Sequence, residues 1–429
     1  MLLRFSCFAT LALVVSAACA SEFDNVAGRY TFNSLPTPAA ESRRMNSNEL
    51  SDQQPAGRYV NTGENLTIRV SGLRKGYHAT AVVGFRQMWG SEEQQQDVPL
   101  RNGDNALTAD QTGPLFIRFN APDGAQDTSA KIDVTVSGGN ILPLYVDGQT
   151  SAIAWQSQMK AYPRAPFLQL FSPHSMVTLT SGAYRRAPIA DPAETMHEIE
   201  NVLALETTLA GFDDSGPKDR RSPLRQHYLV DYRSPPSLDD AYYMYASNQF
   251  IGMRPDNTGD LTDPARLRTQ WAIWHETGHT LQQRSWTWDT LTEVDVNLFS
   301  LYVQEKMGQP NRLDVPEDGV TPRERAQRYL KDGPKDFVAN DENYFERLVM
   351  FDDLRQVYGW DFYTRVFKYY RQHPLPDDAD TKTKVDQFVI VFCKLSGNDL
   401  RPFFEKWGLR ASARAYRTID AMRLPVRAI

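Results

Sequence analysis

Residues 271–283 read Trp271-Ala272-Ile273-Trp274-His275-Glu276-Thr277-Gly278-His279-Thr280-Leu281-Gln282-Gln283. On an α-helix, positions i and i+4 project from one face a turn apart, so His275 and His279 can both reach a single cation. Glu276, turned aside, faces the coordination position that the two imidazoles leave open. Two neutral nitrogen donors and a carboxylate at this spacing point to a zinc hydrolase. Upstream, Asp263-Pro264 offers a capping side chain followed by proline at the first helical position, and Ala265, Leu267, Arg268 and Gln270 continue as helix formers. The expectation is a helix beginning at Pro264 with the motif in its middle.

Zinc hydrolases keep three protein ligands and one open position for water, so a third donor has to come back to the imidazoles in space. None of the five other histidines lies on a helix expected to return there. The stretch Leu291-Thr292-Glu293-Val294-Asp295-Val296-Asn297-Leu298 offers a carboxylate at the start of the next helix. Glu293, fourteen residues after His279, leaves room for a turn and a loop through Ser285-Trp286-Thr287-Trp288. Asp295 is the alternative, and Asp289, in the loop, a weaker one. Asn297 falls one turn beyond Glu293 on the same face, placed to accept a hydrogen bond from a ligating imidazole and fix its tautomer. An amide carbonyl there does the work of a carboxylate with less charge, which leaves the metal site more positive.

His275-Glu276-x-x-His279 followed by Glu293-Val294-x-x-Asn297-Leu298-Phe299-Ser300-Leu301 resembles the enhancin-like metallopeptidases, the viral enhancins and bacterial mucin-degrading enzymes. The likeness is densest from about residue 240 to 305. It implies a gluzincin with His275, His279 and Glu293 as ligands of one Zn2+ per chain, and Glu276 as the catalytic base. It also implies proteolysis of heavily glycosylated proteins, mucins among them, which spacing alone does not reveal. In such a site the zinc ion lowers the pKa of its water and polarises the scissile carbonyl, while Glu276 takes the proton and hands it to the leaving amine. The oxyanion needs a further donor; Tyr242, Tyr243, Tyr245, Tyr344 and His373 are all open for that role.

From residue 21 to 165 the chain reads as short strands with turns. Glu64–Val70 alternates polar and apolar; His78–Gly84, Leu115–Phe119 and Lys131–Val136 follow, each bounded by Gly, Asp, Asn or Pro. The expected fold is α+β and multidomain. It comprises an N-terminal jelly-roll-like β-sandwich (21–165), a thermolysin-like α/β metallopeptidase core with the motif helix (166–290), and a C-terminal helical bundle carrying the third ligand (291–429). In the core, Ser175–Thr180, His227–Tyr232, Tyr242–Ala246 and Gln249–Met253 read as strands, and Pro192–Leu209 as a helix on which His197 reads as a solvated or partly buried residue. The Tyr242–Met253 stretch is the candidate for binding an extended substrate by strand addition. Helices are expected over Val294–Lys306, Tyr344–Tyr358, Asp361–Arg371, Lys384–Leu395 and Leu400–Trp407.

Met1–Ala20 has one positive charge at Arg4, an apolar run Cys7–Ala18 and a small-residue cleavage site at Ala18-Cys19-Ala20. This is the pattern of a secretory signal peptide, and it predicts a secreted or periplasmic protein. Cys19 also permits a lipoprotein reading. No later stretch reaches eighteen apolar residues, so no integral membrane segment is expected in the mature chain. With the leader removed Cys393 alone remains, in the apolar run Phe388–Cys393, where it reads as a packing residue. The chain has 429 residues, 41% of them hydrophobic, enough for two or three domains without disulfides. A formal charge of −6 argues against a nucleic-acid partner. The expected partner is a protein or glycoprotein substrate; the competing readings are a zinc peptidase of unglycosylated peptides and a mucin-binding adhesin with a vestigial metal site.

Overall fold

The computed structural model describes residues 23–24, 27–85, 95–124, 129–230, 243–332, 335–339 and 343–429. The leader Met1–Ala20 and Tyr242 lie outside the described residues. The protein is a mixed α+β structure, with three sheets and many helices among the described residues.

The first half alternates as its sequence does. In Asn65–Ser71 every second residue is buried, so Leu66, Ile68 and Val70 face inward while their neighbours meet solvent. This strand lies in a five-stranded sheet with Phe23–Asp24, Arg29–Asn33, Lys131–Ser137 and Gly103–Thr108. A second five-stranded sheet holds Asn140–Ile141, Gln54–Val60, Gly113–Asn120, His78–Gly84 and Gln95–Leu100. Phe32, Ile68 and Val134 from one sheet meet Val83, Ile117 and Phe119 from the other in one apolar layer.

The third sheet has six strands in the order Leu144–Val146, Phe167–Phe171, Ser175–Thr180, Gln226–Val230, Phe250–Met253, Met244–Ser247. Phe167–Phe171, Gln226–Val230 and Phe250–Met253 run as unbroken buried stretches because both faces are covered. One face carries Val177, Tyr228 and Ile251 against the helix Pro192–Leu209 and against Ile273 and Trp274 of the motif helix. On the other, Phe171, Met176, Leu229 and Phe250 rest on Val82 and Phe116 of the sandwich. The break expected at residue 165 is therefore misplaced. Leu144–Val146 already pairs in parallel with Phe167–Phe171, joined by the helix Ala152–Ala161, so the third sheet begins about twenty residues earlier.

The outermost strand, Met244–Ser247, pairs antiparallel with Phe250–Met253 and leaves its far edge unpaired among the described residues. Beyond the motif the chain is helical, over Asn297–Lys306, Pro322–Lys331, Tyr344–Tyr358, Trp360–Gln372, Thr381–Ser396, Arg401–Trp407 and Ala413–Met422. The first and last of the expected helices are shorter or shifted by a few residues, and Pro322–Lys331 and Ala413–Met422 were not anticipated. Both are amphipathic and capped, by Thr321 and Ser412, so the sequence carried a signal for each. Their shared core is aromatic, with the Phe388 and Phe392 rings stacked at 3.9 Å and Trp286 beside both. Cys393 is buried in it, its thiol pushed up to about 11 by burial.

Candidate metal centre

The motif helix is shorter than its sequence suggests. Asp263 does cap, accepting from the Ala265 N–H, but the helix it starts ends at Leu267 after four residues. A new helix runs from Trp271 to His279, so the motif ends a nine-residue helix instead of lying within a long one. The Trp274 indole explains the break in part: it donates to the Leu267 carbonyl at 3.0 Å, satisfying a group that a continuous helix would have bonded internally. Thr277 ties the helix to the sheet. Its hydroxyl donates to the Ile273 carbonyl (2.6 Å) and faces the Tyr228 hydroxyl at 2.8 Å on a central strand.

After His279 the chain turns through Trp286 and Trp288 and returns as two short helices, Thr292–Asp295 and Asn297–Lys306. Gly278 lets them close in. A Cβ there would meet Phe299 at 3.0 Å and Val296 at 3.2 Å, so a larger residue would push the returning helix away.

This packing brings three donor atoms together. His275 Nε2 and His279 Nε2 are 3.1 Å apart, and Glu293 Oε2 lies 2.9 Å from the first and 3.5 Å from the second. Four ligands at zinc–donor lengths in a tetrahedron stand about 3.3 Å from one another, so this triangle has the size of a zinc site. Among the described residues, His275, His279 and Glu293 are the one His/Cys/Asp/Glu group of this kind.

The hydrogen bonds around the triangle determine which nitrogens carry protons. Asn297 Nδ2 donates to the Glu293 carbonyl at 2.8 Å, which turns its Oδ1 toward Trp271 Nε1 (3.1 Å) and His275 Nδ1 (2.7 Å). The proton therefore sits on Nδ1, and Nε2 of a neutral His275 presents a lone pair. Gln282 does the same for the other imidazole. Its Nε2 donates to the Thr292 carbonyl at 2.7 Å and to Asp295 Oδ1, leaving Oε1 to accept from His279 Nδ1 at 3.0 Å. Two lone pairs and a carboxylate oxygen thus converge with no proton between them, an arrangement that a cation resolves. The donor set fits zinc.

Asp295, the alternative third ligand, points elsewhere: it is buried, accepts from Thr287 at 2.6 Å and from Gln282, and burial pushes its carboxyl up to about 7. Its place is behind His279, through Gln282. Asp289 is exposed, at the start of the turn Asp289–Leu291. Gln282 was missed from the sequence, although three residues past His279 it shares the face of the motif, which is the signal that could have found it.

Glu276 is raised above the ordinary carboxylate range, first by burial and also by Glu293, while the two imidazoles and the Ala246 backbone N–H oppose the shift. That N–H belongs to the edge strand Met244–Ser247, so the strand runs beside the carboxylate. Burial also acts on Glu293, but His275 and His279, when they carry protons toward it, outweigh burial and hold the carboxyl well below its usual range. Its side chain is 45% exposed against 16% for His275 and 11% for His279, which marks the Glu293 side as the open one.

Of the oxyanion candidates, the Tyr243 hydroxyl binds Asp260 and accepts from Gln270 at 3.1 Å, just before the motif helix. Tyr245 is buried on the sandwich side of the sheet, its ring across Gly252. His373 stacks on Tyr369 at 4.6 Å, and Tyr344 is exposed at the start of its helix.

Residues 138–408 match the family model described as peptidase M60, enhancin and enhancin-like. The TRPM8 channel-associated factor 2 of Bos taurus is 26% identical over 65% of this chain and 29% of its own length. The chain thus spans about three tenths of the curated relatives it first matches. A functionally unknown conserved protein from Bacillus anthracis has a similar structure, at 25% identity and a TM-score of 0.80, covering 94% of this chain and 80% of that one. The M60 catalytic domain of Clostridium perfringens ZmpC, solved in complex with the sialyl T antigen, shares the fold with a TM-score of 0.73 at 17% identity, covering 93% of this chain and 80% of that one.

Proposed function

Since the chain belongs to the peptidase M60, enhancin and enhancin-like family, we propose that it is a secreted or periplasmic zinc endopeptidase of the gluzincin type that cleaves O-glycosylated, mucin-like proteins. The observation that carries this reading is the triangle of His275 Nε2, His279 Nε2 and Glu293 Oε2, closed by hydrogen bonds that leave only lone pairs facing inward.

A bound zinc ion supplies Lewis-acid polarisation of the scissile carbonyl and acidifies a water. The chain's own groups do the rest. Glu276, half-buried beside the triangle and raised above its usual range, is suited to take a proton from that water and return it to the leaving amine. The open edge of Met244–Ser247 can pair with an extended peptide backbone, which would lay the substrate along the motif helix. Asn297 and Gln282 keep the two imidazoles in the tautomer that binds metal.

The glycosylated substrate class draws on the family and on the neighbour bound to the sialyl T antigen. An adhesin with a vestigial site would have no need to keep all three donors and both imidazole partners. Among the described residues no helix is long and apolar enough to cross a membrane.

The test compares wild type with Glu276→Gln on an O-glycopeptide and on the same peptide without its sugar, with and without a chelator. The expected result is chelator-sensitive cleavage of the glycopeptide, lost by about 10²- to 10⁴-fold in the variant. Equal cleavage of both peptides would move the reading to an ordinary zinc peptidase; equal, chelator-insensitive behaviour of both proteins would end the enzymatic one.

A further inference from the structure

The family match begins at residue 138, so nothing in it speaks for residues 46–53, which join the helix Pro38–Met45 to the strand Gln54–Val60 of the sandwich. Those residues leave the sandwich and cross to the metal centre. Asn46 ends the helix in a left-handed conformation (φ 59°), turning the chain away. From there to Gln53 all are buried except Asn48 and Glu49, which are half-buried.

Two neighbours in this segment hold two different parts of the site. Asn48 Nδ2 donates to the His279 carbonyl at 3.0 Å. That carbonyl lies at the end of the motif helix, where no further turn supplies a partner. Glu49 grips the hairpin between the two outer strands: Gln249 donates its backbone N–H to the Glu49 carbonyl and its side-chain Nε2 to Glu49 Oε2, both at 2.8 Å. Gln249 sits in the turn at φ 72°, a conformation that L side chains seldom adopt, and these two bonds hold it there. On the far side the segment is fixed by the paired Ser51 and Arg225 backbones (2.9 and 3.0 Å) and by Asp52, 3.2 Å from Arg118 and bonded by Asn120 at 2.8 Å.

We infer that Asn48 and Glu49 are positioning residues, a strap that sets the distance between the His279 end of the motif helix and the edge hairpin carrying the Ala246 N–H beside Glu276. The strap lies about two hundred residues before both parts in sequence, and its two adjacent residues bond one part each. A shift of about 1 Å between a substrate held on the strand and the attacking group is enough to cost about 10²-fold in rate. The kinetic side rests on the proposed peptidase reading; metal affinity and hydrogen exchange do not, so the two can fail separately.

The experiment uses the full chain and four variants. Asn48→Asp replaces the donor with an oxygen facing the His279 carbonyl, and Asn48→Ala removes it, in case the first does not fold. Glu49→Ala removes the side-chain acceptor, and Glu49→Gln restores an oxygen that Gln249 can use. Zinc affinity is read by competition with a chromogenic chelator, and exchange across Met244–Met253 by mass spectrometry. Each Asn48 variant is expected to weaken zinc by about tenfold with hairpin exchange unchanged. Glu49→Ala should keep wild-type zinc affinity, speed hairpin exchange by about tenfold and raise KM more than it lowers kcat, with Glu49→Gln returning both toward wild type. Zinc affinity and exchange identical to wild type in the Asn48 and Glu49→Ala variants would overturn the strap. A wild type that binds zinc and shows these shifts on mutation but cleaves no peptide would retain the strap and discard the peptidase.

Discussion

The C-terminal bundle and the strap from the sandwich grip the same segment, the turn after His279, by different physical means. On the bundle side Leu281, Trp286, Trp288 and Leu291 sink into an aromatic core, with Trp286 packed on Phe367, Phe388 and Phe392. On the strap side the contacts are polar: Asn46 Nδ2 donates to Ser285 Oγ at 2.7 Å, the Arg284 N–H to the Asn46 carbonyl at 3.1 Å, and the Arg284 guanidinium to the Ser47 carbonyl. Apolar burial is strong and tolerant of direction, so it makes the turn stable. Hydrogen bonds add little net energy each but fix orientation, so they decide where His279 stands.

The sharpest way to break this contrast is Phe392→Ala. It should destabilise the chain by about 3–5 kcal/mol in denaturant unfolding, yet leave zinc affinity of the folded protein near wild type. A parallel loss of affinity would mean that packing also positions the donors.

Acid offers a second probe, where the helix Pro192–Leu209 meets the turn from Ser172 to Ser175. Glu200, bonded by His174, Ser172 and Ser175, has its carboxyl lowered to about 2; burial opposes this, and those three partners outweigh it. A depressed carboxylate contributes stability that is present above its unfolded pKa near 4.5 and disappears as pH falls through about 2. The shift corresponds to about 3 kcal/mol. Glu200→Gln, measured with chelator present to remove any metal contribution, should lose stability at pH 6 and show a shallower decline from pH 4.5 to 2.

Gln282→Leu sharpens the comparison in the other direction. It keeps the apolar volume but removes the acceptor for His279 Nδ1, so zinc affinity should fall by about 10- to 100-fold while unfolding changes far less than in Phe392→Ala. Asn297→Leu, which strips the acceptor from His275 Nδ1, should act alike. The smallest effect is expected of Ser285→Ala, about 1 kcal/mol, because its hydroxyl serves only Asn46 and the Leu375 N–H.

Much of the candidate site was legible because helical spacing is local. His275 and His279 share a face by the pitch of any α-helix, and Asn297 follows Glu293 by one turn, so the relation of these side chains needs no knowledge of the rest of the chain. The alternation in Asn65–Ser71 shows its inner face in the same way. The long helix expected from Pro264 failed because Leu267 and Trp274 settle their hydrogen bond through a side chain, which propensity does not register. Gln282 and the strap stayed hidden for a related reason. Polar residues in a loop carry no periodic signal, and a half-buried Asn or Glu looks in sequence like any solvated one.

The sequence alone determined the kind of chemistry available, since two histidines one helical turn apart and a carboxylate beside them can assemble nowhere else in this chain, and it determined the strand-rich first half and the helical last. Only the tertiary structure decided which acid turns toward the imidazoles. Glu293 and Asp295 are two residues apart and point to nearly opposite sides of their short helix, so the choice depended on which side the motif helix came to occupy. It also decided that a segment of the sandwich, more than two hundred residues before the motif, would reach the His279 carbonyl and the edge hairpin, because contacts between distant stretches arise from packing and leave no trace in local spacing.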